Sequence, residues 1–530
     1  MYQRVVCPKK STAQQPDPRR SISSYNRRRA FIQRQVHFKL HGGVNQLSGT
    51  LHDVDLFVLI AYLAIVLLLG IWMGRGQREL GDYLLGGRDL PWWAILGSIV
   101  ATETSTATFL SVPGIAFGGD LRFLQLAFGY IVGRTIAVYV LLPRYFQGNL
   151  FTAYEVLDQR FGLATKRTAS LVFLVARTCA DGLRLFLAAV VLEKILGWPM
   201  PWCIVLIGIA TILYTFFGGI KSVVWTDCLQ FVVYIAGGVI AGLVIVSRIP
   251  GGWNELAAFA SEHDKLRLFD FSLNFTEPYT FFAGLVGGTF LTLGTHGTDQ
   301  MMVQRYLCAR SQSDAGRALV LSGFVVFLQF LLFLLVGVAL ACFYDRFPPP
   351  AEFRPDAVFA TFIVDELPKG VGLVGITLAA VFAAAMSTLS SSLNSSASSA
   401  VNDLYIPFRR TEASSSHLLW TSRVMTVFFG IAQIGMGIVG IYLARSVVTN
   451  VLDIASFTAG LLLGLFALGV LTERVGQRAA LVGLVVGLSV LISVKFMTSI
   501  AWPWYALIGA STTFVAGLLG SLFAARERAK

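Results

Sequence analysis

From Ala383 to Ala397 the chain reads Ala-Ala-Ala-Met-Ser-Thr-Leu-Ser-Ser-Ser-Leu-Asn-Ser-Ser-Ala, inside an apolar stretch at residues 371–402. Hydroxyls at Ser387, Thr388, Ser390, Ser391, Ser392, Ser395 and Ser396, with the Asn394 amide, cover more of a helix than one packing seam needs. Hydroxyl oxygens and released backbone carbonyls suit a hard monovalent cation such as Na⁺, because they supply ligands without a large charge to desolvate. The cluster reads as a cation cage.

Three other sites carry ionisable groups where the surrounding sequence is apolar. Asp227 stands near the start of the stretch at 225–247, within Trp-Thr-Asp-Cys-Leu-Gln. An ionisable group there is either functional or a solvated carboxylate at a helix start. Arg177, Asp181 and Arg184 are spaced to share one helix face, so they either pair with one another or offer Arg184 to an anionic solute. Glu103 lies in the polar run Ala-Thr-Glu-Thr-Ser-Thr-Ala-Thr at residues 101–108, where a carboxylate could bind a cation, a proton or sugar hydroxyls. His296, among glycines and threonines, reads as a hydrogen-bonding lining residue, since no Cys/His partner supports a metal site.

The elements that position these groups must cross a membrane. Of 530 residues 55% are hydrophobic and 14% charged, against about a quarter charged in soluble domains. Thirteen apolar stretches are each long enough to span a bilayer: 55–73, 92–118, 123–147, 170–193, 202–218, 225–247, 278–298, 316–342, 371–402, 421–442, 449–470, 478–495 and 502–524. The expected fold is an all-α polytopic membrane protein with one transporter domain at residues 52–525 and a basic tail at 526–530. Residues 1–51 read as a basic, disordered segment, explained most simply by an over-extended gene start.

The net charge of +12 has a topological source. If the loop after the first span is cytoplasmic, loops on that side hold nineteen Lys/Arg, Arg305 among them, and the opposite loops ten. That arrangement puts the C-terminus inside and the N-terminus outside a plasma membrane. The basic residues therefore do not call for nucleic acid; the expected partners are the bilayer and a small solute. The six cysteines show no metal-type spacing.

Two stretches look discontinuous. Residues 92–118 contain the polar run, and 278–298 contain Gly284, Gly287, Gly288, Gly294 and Gly297 beside Thr289, Thr292 and Thr295. Polar, glycine-rich backbone at membrane depth belongs where it lines a cavity. Each stretch opens a set of five, at 92–247 and 278–470, as expected of an inverted-repeat transporter with its site at the midplane and unwound segments at 101–108 and 292–297. The bland alternative is that the glycines serve close helix packing.

Five segments together resemble the sodium:solute symporter family, whose members carry sugars, proline, sialic acid, iodide and vitamins. They are Gly86-Gly-Arg-Asp-Leu-Pro-Trp-Trp93, Phe151-Thr-Ala-Tyr-Glu-Val-Leu-Asp-Gln-Arg-Phe161, Gly218-Gly-Ile-Lys-Ser-Val-Val-Trp-Thr-Asp-Cys-Leu-Gln230, Thr298-Asp-Gln-Met-Met-Val-Gln-Arg-Tyr-Leu307 and Met386-Ser-Thr-Leu-Ser-Ser-Ser-Leu-Asn-Ser395. The resemblance implies a leucine-transporter-type fold of five-plus-five inverted repeats, with extra helices at 55–73, 478–495 and 502–524. It also implies a common Na⁺ site at Ala101, Thr104, Ala384, Ser387 and Thr388, and a second at Asp227, Ser390 and Ser391.

Solute contacts are expected from Thr102, Glu103, Ser105, Thr108, Arg184, Thr292, Thr295 and His296. The positions where sugar carriers of the family show Asn and Glu-Gln read Glu103, Ala107 and Thr108 here, which leaves both a sugar and a sialic-acid-like carboxylate open. The expected activity is sodium-coupled import by alternating access. A sensor would need a signalling domain and a channel a continuous polar pore. No paired nucleophile and base, metal motif or phosphate loop supports an enzyme.

Overall fold

The computed structural model describes residues 51–528 apart from 76, 78, 149, 349–354, 410–413 and 444–446. The basic N-terminal segment therefore lies outside the described residues. Those that are described form helices and connecting turns, with one isolated bridge pairing Leu90 with Ala309. The main helices are α1 (Asp53–Met73), α2 (Trp92–Glu103), α3 (Thr106–Gly118), α4 (Gln125–Val140), α5 (Leu163–Leu196), α6 (Met200–Arg248), α7 (Gly288–Gly297), α8 (Gln300–Leu307), α9 (Gln312–Arg346), α10 (Leu373–Ser399), α11 (Ser415–Gly440), α12 (Val447–Leu471), α13 (Gln477–Met497) and α14 (Pro503–Arg528).

Every apolar stretch read from the sequence overlaps at least one of these helices, but the elements are cut differently. Among the described residues nine helices are long and apolar enough to cross a membrane, or ten if the bent pair α2/α3 counts as one span. The stretches at 202–218 and 225–247 are merged in α6, whose 49 residues would extend ~74 Å as a straight helix, far more than a bilayer core. Gly219 breaks it with φ 55° and ψ −164°, a conformation that a side chain rarely adopts.

The first interrupted span is broken as expected. Helices α2 and α3 meet at a 63° bend across Thr104 and Ser105, whose backbone leaves the helical region. The second is broken elsewhere. Residues 292–297 are helical, and the chain unwinds only at Thr298 and Asp299, before Asp299 caps α8 by accepting from the Met301 amide at 2.9 Å.

The glycines expected to unwind residues 292–297 serve contact instead. A Cβ on Gly284 would stand 2.7 Å from the Gln125 carbonyl oxygen, and one on Gly294 2.6 Å from that of Ala459. These glycines let α7 and the π-helical turn Ala283–Gly287 press against α4, α12 and α14.

Helix α10 is the most deeply buried of the spans, with 89% of its apolar window inside the protein. It lies against α6, α1, α5 and α11, and it reaches α2 across the break. A helix so enclosed needs no lipid-facing side, so the hydroxyls that would be costly in hydrocarbon can occupy its whole circumference.

Candidate functional site

The break in the first interrupted span and the hydroxyl run of α10 face each other. Ser387 Oγ donates to the Ala101 carbonyl at 2.9 Å, and Thr388 Oγ1 donates to the Thr102 carbonyl at 3.0 Å. Both hydroxyls also lie 3.3 Å from the Ala384 carbonyl. Carbonyls at the C-terminal end of α2 carry the negative end of a helix and have lost their own helical donors, so they are suited to a cation. Thr104 sits at the break itself, its hydroxyl held by Gln329 Nε2 at 2.5 Å and Tyr234 at 3.1 Å, which leaves its carbonyl as the group it can offer. All five residues expected at the common cation site are buried and brought together around this break. The donor set, hydroxyl and carbonyl oxygens at the end of a helix, fits Na⁺.

Asp227 is fully buried on α6, so the solvated reading falls away. Its Oδ2 accepts from Ser98 at 2.5 Å and Thr102 at 3.3 Å, and pairs with Arg305 Nη2 at 3.2 Å. Arg305, assigned from the sequence to a cytoplasmic loop, is instead fully buried on α8, where it also donates to the Ser98 and Ser391 hydroxyls. Ser391 thus belongs to the guanidinium's hydrogen-bonding set. Ser390 points its hydroxyl to the Ser387 carbonyl at 3.2 Å.

A third cluster joins both interrupted spans. Glu103, the last residue of α2, forms an ion pair with Arg134 of α4, and His296 Nε2 of α7 stands 3.6 Å from the same carboxylate oxygen. Arg134 is completely buried and also donates to Ser322 Oγ at 2.7 Å. Thr295 Oγ1 lies 3.1 Å from His296 Nδ1. Sequence reasoning passed over Arg134, because a single basic residue in an apolar stretch does not reveal which acid it meets.

Arg177, Asp181 and Arg184 do share a face of α5, and Asp181 pairs with both arginines. Arg177 pairs as well with Asp299 at the second break, a partner 122 residues away in sequence. Both arginines line a cleft with Thr295, Asp299 and Thr458. Thr292 and Ser105 are buried near the two breaks, whereas Thr108 is only half-buried on α3.

The sodium:solute symporter family model matches residues 83–487. The sodium/sialic acid symporter SiaT of Proteus mirabilis is 29% identical over 479 residues, covering 88% of this chain and 95% of that protein. The sodium-coupled monocarboxylate transporter 1 of Xenopus laevis is 30% identical over 465 residues, covering 86% and 74%. Among solved structures, the substrate-bound outward-open state of a Na⁺-coupled sialic acid symporter superposes with a TM-score of 0.82 at 28% identity, covering 89% of this chain and 98% of that one. The closed form of Mhp1, a nucleobase-cation-symport-1 family transporter, shares the fold at 14% identity and a TM-score of 0.55.

Proposed function

Because the chain belongs to the sodium:solute symporter family and is thus a multi-pass, sodium-coupled solute symporter of the leucine-transporter-type fold, we propose that Na⁺ is held between α2 and α10 and that the solute carries a carboxylate. Na⁺ would take the carbonyls of Ala101, Thr104 and Ala384 and the hydroxyls of Ser387 and Thr388. The observation that carries this reading is the direct meeting of Ser387 and Thr388 with the carbonyls at the break.

An ion placed among these oxygens replaces hydroxyl-to-carbonyl hydrogen bonds by ligand bonds that tie α2 to α10. Binding from outside thereby orders the break at Thr104 and Ser105, next to Glu103. Release inside lets the two helices part. One charge moving through 100 mV is worth about 2.3 kcal/mol, which is the electrical share of the driving force.

The carboxylate is read from Arg184. A guanidinium has five N–H donors; among the described residues one reaches Asp181 and Nε has no partner, and the residue opens on the cleft beside Thr295. Two of the relatives are named for sialic acid and for monocarboxylates, which are both carboxylates. Glu103 and His296 would line the same space from the other side, with the Glu103 charge already balanced by Arg134. Thirteen crossings with a cytoplasmic C-terminus in the plasma membrane complete the proposal.

Uptake into proteoliposomes, with a panel of sugars, sialic acids, amino acids and monocarboxylates, tests it. A carboxylate class that enters only with an inward Na⁺ gradient, and not in Ser387→Ala/Thr388→Ala, is the expected result. Equal uptake on K⁺ or a proton gradient would overturn the sodium assignment, and uptake of neutral sugars alone would overturn the carboxylate.

A further inference from the structure

Two of the segments that carry the family resemblance, Gly86-Gly-Arg-Asp-Leu-Pro-Trp-Trp93 and Gly218-Gly-Ile-Lys-Ser-Val-Val-Trp225, meet at the end of α2 opposite its break. Gly86 has φ 59°, and a Cβ there would stand 3.4 Å from Ile220 and 3.6 Å from Lys221 Cβ, so the turn before α2 packs onto α6 just past Gly219. The contact leaves a cavity of about 400 Å³ whose walls include Asp89, Leu90, Trp93, Lys221, Trp225 and Arg310. Neither the ion nor the solute proposed above uses it.

The cavity has a charged side and an apolar one. Lys221 is exposed and has no acid partner among the described residues. Arg310 Nε donates to the Asp89 carboxylate at 2.9 Å and to the Asp89 carbonyl at 3.1 Å, which fixes the guanidinium while its Nη groups donate to no described residue. With Asp89 balanced by Arg310, the charge of Lys221 is in surplus. Trp93 and Trp225 form the apolar side, edge to face with ring centroids 5.3 Å apart, and Trp93 is half exposed. From Trp225, Val232 and Val239 follow at seven-residue steps on one face of α6, 61% and 40% exposed. This apolar track runs ~21 Å along the helix, longer than one leaflet of a hydrocarbon core ~30 Å thick.

Fixed cations, amphipathic rings at the membrane boundary and an apolar track leading inward complement one class of molecule. We propose that the cavity binds the headgroup of an anionic phospholipid, with Lys221 and the Arg310 Nη donors on its phosphate and one acyl chain along Trp225, Val232 and Val239. The lipid comes from the leaflet on the Lys221 side, which is the side proposed as cytoplasmic and the one where anionic lipids concentrate. The inference uses the membrane assignment and is independent of the coupling ion and the solute. Free phosphate would meet the same cations but leave the tryptophans and the track unused. A headgroup shared by Lys221 and Arg310 ties the turn before α2 to α6, so its binding stabilises the folded chain.

Thermal unfolding of the purified full chain in detergent, titrated with phosphatidylglycerol, phosphatidylcholine or inorganic phosphate, tests the proposal. Phosphatidylglycerol is expected to raise the midpoint at concentrations where the other two do not, and its effect should weaken in high salt. Lys221→Gln should raise the half-maximal phosphatidylglycerol concentration about tenfold, the scale of one lost charged hydrogen bond. Arg310→Gln should do the same, and Lys221→Gln decides the matter if the loss of the Asp89 contact keeps that variant from folding. Equal midpoints with phosphatidylglycerol and phosphatidylcholine would show that no headgroup is recognised. Inorganic phosphate matching phosphatidylglycerol would assign the cavity to a soluble anion, and an unchanged response in Lys221→Gln would place the lipid elsewhere; each of these results overturns the proposal. Failure of the symport reading would appear in uptake and leave these midpoints as they are.

Discussion

Glu103 and Arg134 form an ion pair in which the arginine is wholly enclosed and the carboxylate ends a helix immediately before its break. Arg134 has no other acid among its described ion-pair partners, so its charge is balanced only while Glu103 stays. Breaking such a pair on one side typically costs about 3–5 kcal/mol, because the remaining charge is left buried. Glu103→Gln alone should therefore lower the thermal stability of the purified protein sharply. Glu103→Gln with Arg134→Met should recover most of it, without recovering solute uptake. Equal stability of the single and double variants would show that the pair does not carry this load.

Ser387→Ala and Thr388→Ala each remove one hydroxyl from the break. Each is expected to raise the Na⁺ concentration for half-maximal uptake by roughly tenfold, equivalent to about 1.4 kcal/mol. Uptake titrated against Na⁺ at fixed membrane potential measures it. An unchanged half-saturation in both would place the ion elsewhere.

Arg184→Leu removes the spare guanidinium donors but leaves Asp181 paired with Arg177. Stability should fall, because Arg177 must then balance both Asp181 and Asp299, while in the folded fraction the KM for a transported carboxylate rises about thirtyfold, the scale of a lost charged hydrogen bond worth ~2 kcal/mol. A matched uncharged analogue, such as the methyl ester, should lose the distinction between wild type and variant.

Gly219→Ala would put a Cβ 2.5 Å from the Tyr83 carbonyl oxygen and force a side chain into positive φ. The conformational part alone costs about 1–3 kcal/mol. Reduced stability and poor expression are expected, whereas Gly81→Ala, with nothing near its Cβ position, should differ little from wild type.

The loop between α6 and the second interrupted span is clamped by Arg122, which binds Asp120 and Asp270. The Ser272 backbone N–H, the Ser272 side chain and Arg122 hold the Asp270 carboxyl below its ordinary value of 3.8. The clamp's contribution is complete above that value and is lost as pH falls through the lower folded pKa. Protease resistance of this loop should thus persist through mild acid and fail only below about pH 4, and Asp270→Asn should abolish that acid dependence.

What the sequence disclosed followed from composition and period. Long apolar runs, the hydroxyl cluster of α10 and the shared face of Arg177, Asp181 and Arg184 are properties of neighbouring residues, and the structure has them where they were read. Partners distant in sequence were not legible. Arg305 looked like a loop charge because its stretch is polar, yet it closes on Asp227, 78 residues earlier. The second break was displaced for a similar reason. Glycine signals both unwinding and close approach, and the facing carbonyls of Gln125 and Ala459 that select close approach lie far from residues 284–297 in the chain.

The bridge between Leu90 and Ala309 reaches further than its single hydrogen bond, from the Leu90 amide to the Cys308 carbonyl at 3.1 Å. It joins the residues just before α2 to those just after α8, while Arg310 binds Asp89 alongside it at 2.9 Å. The two interrupted spans are thereby yoked at one end like the arms of a tuning fork. Movement of one span is expected to carry the other with it, and spin labels on the exposed Trp92 and Gln312, which leave the bridge and the ion pair in place, should keep one separation throughout transport.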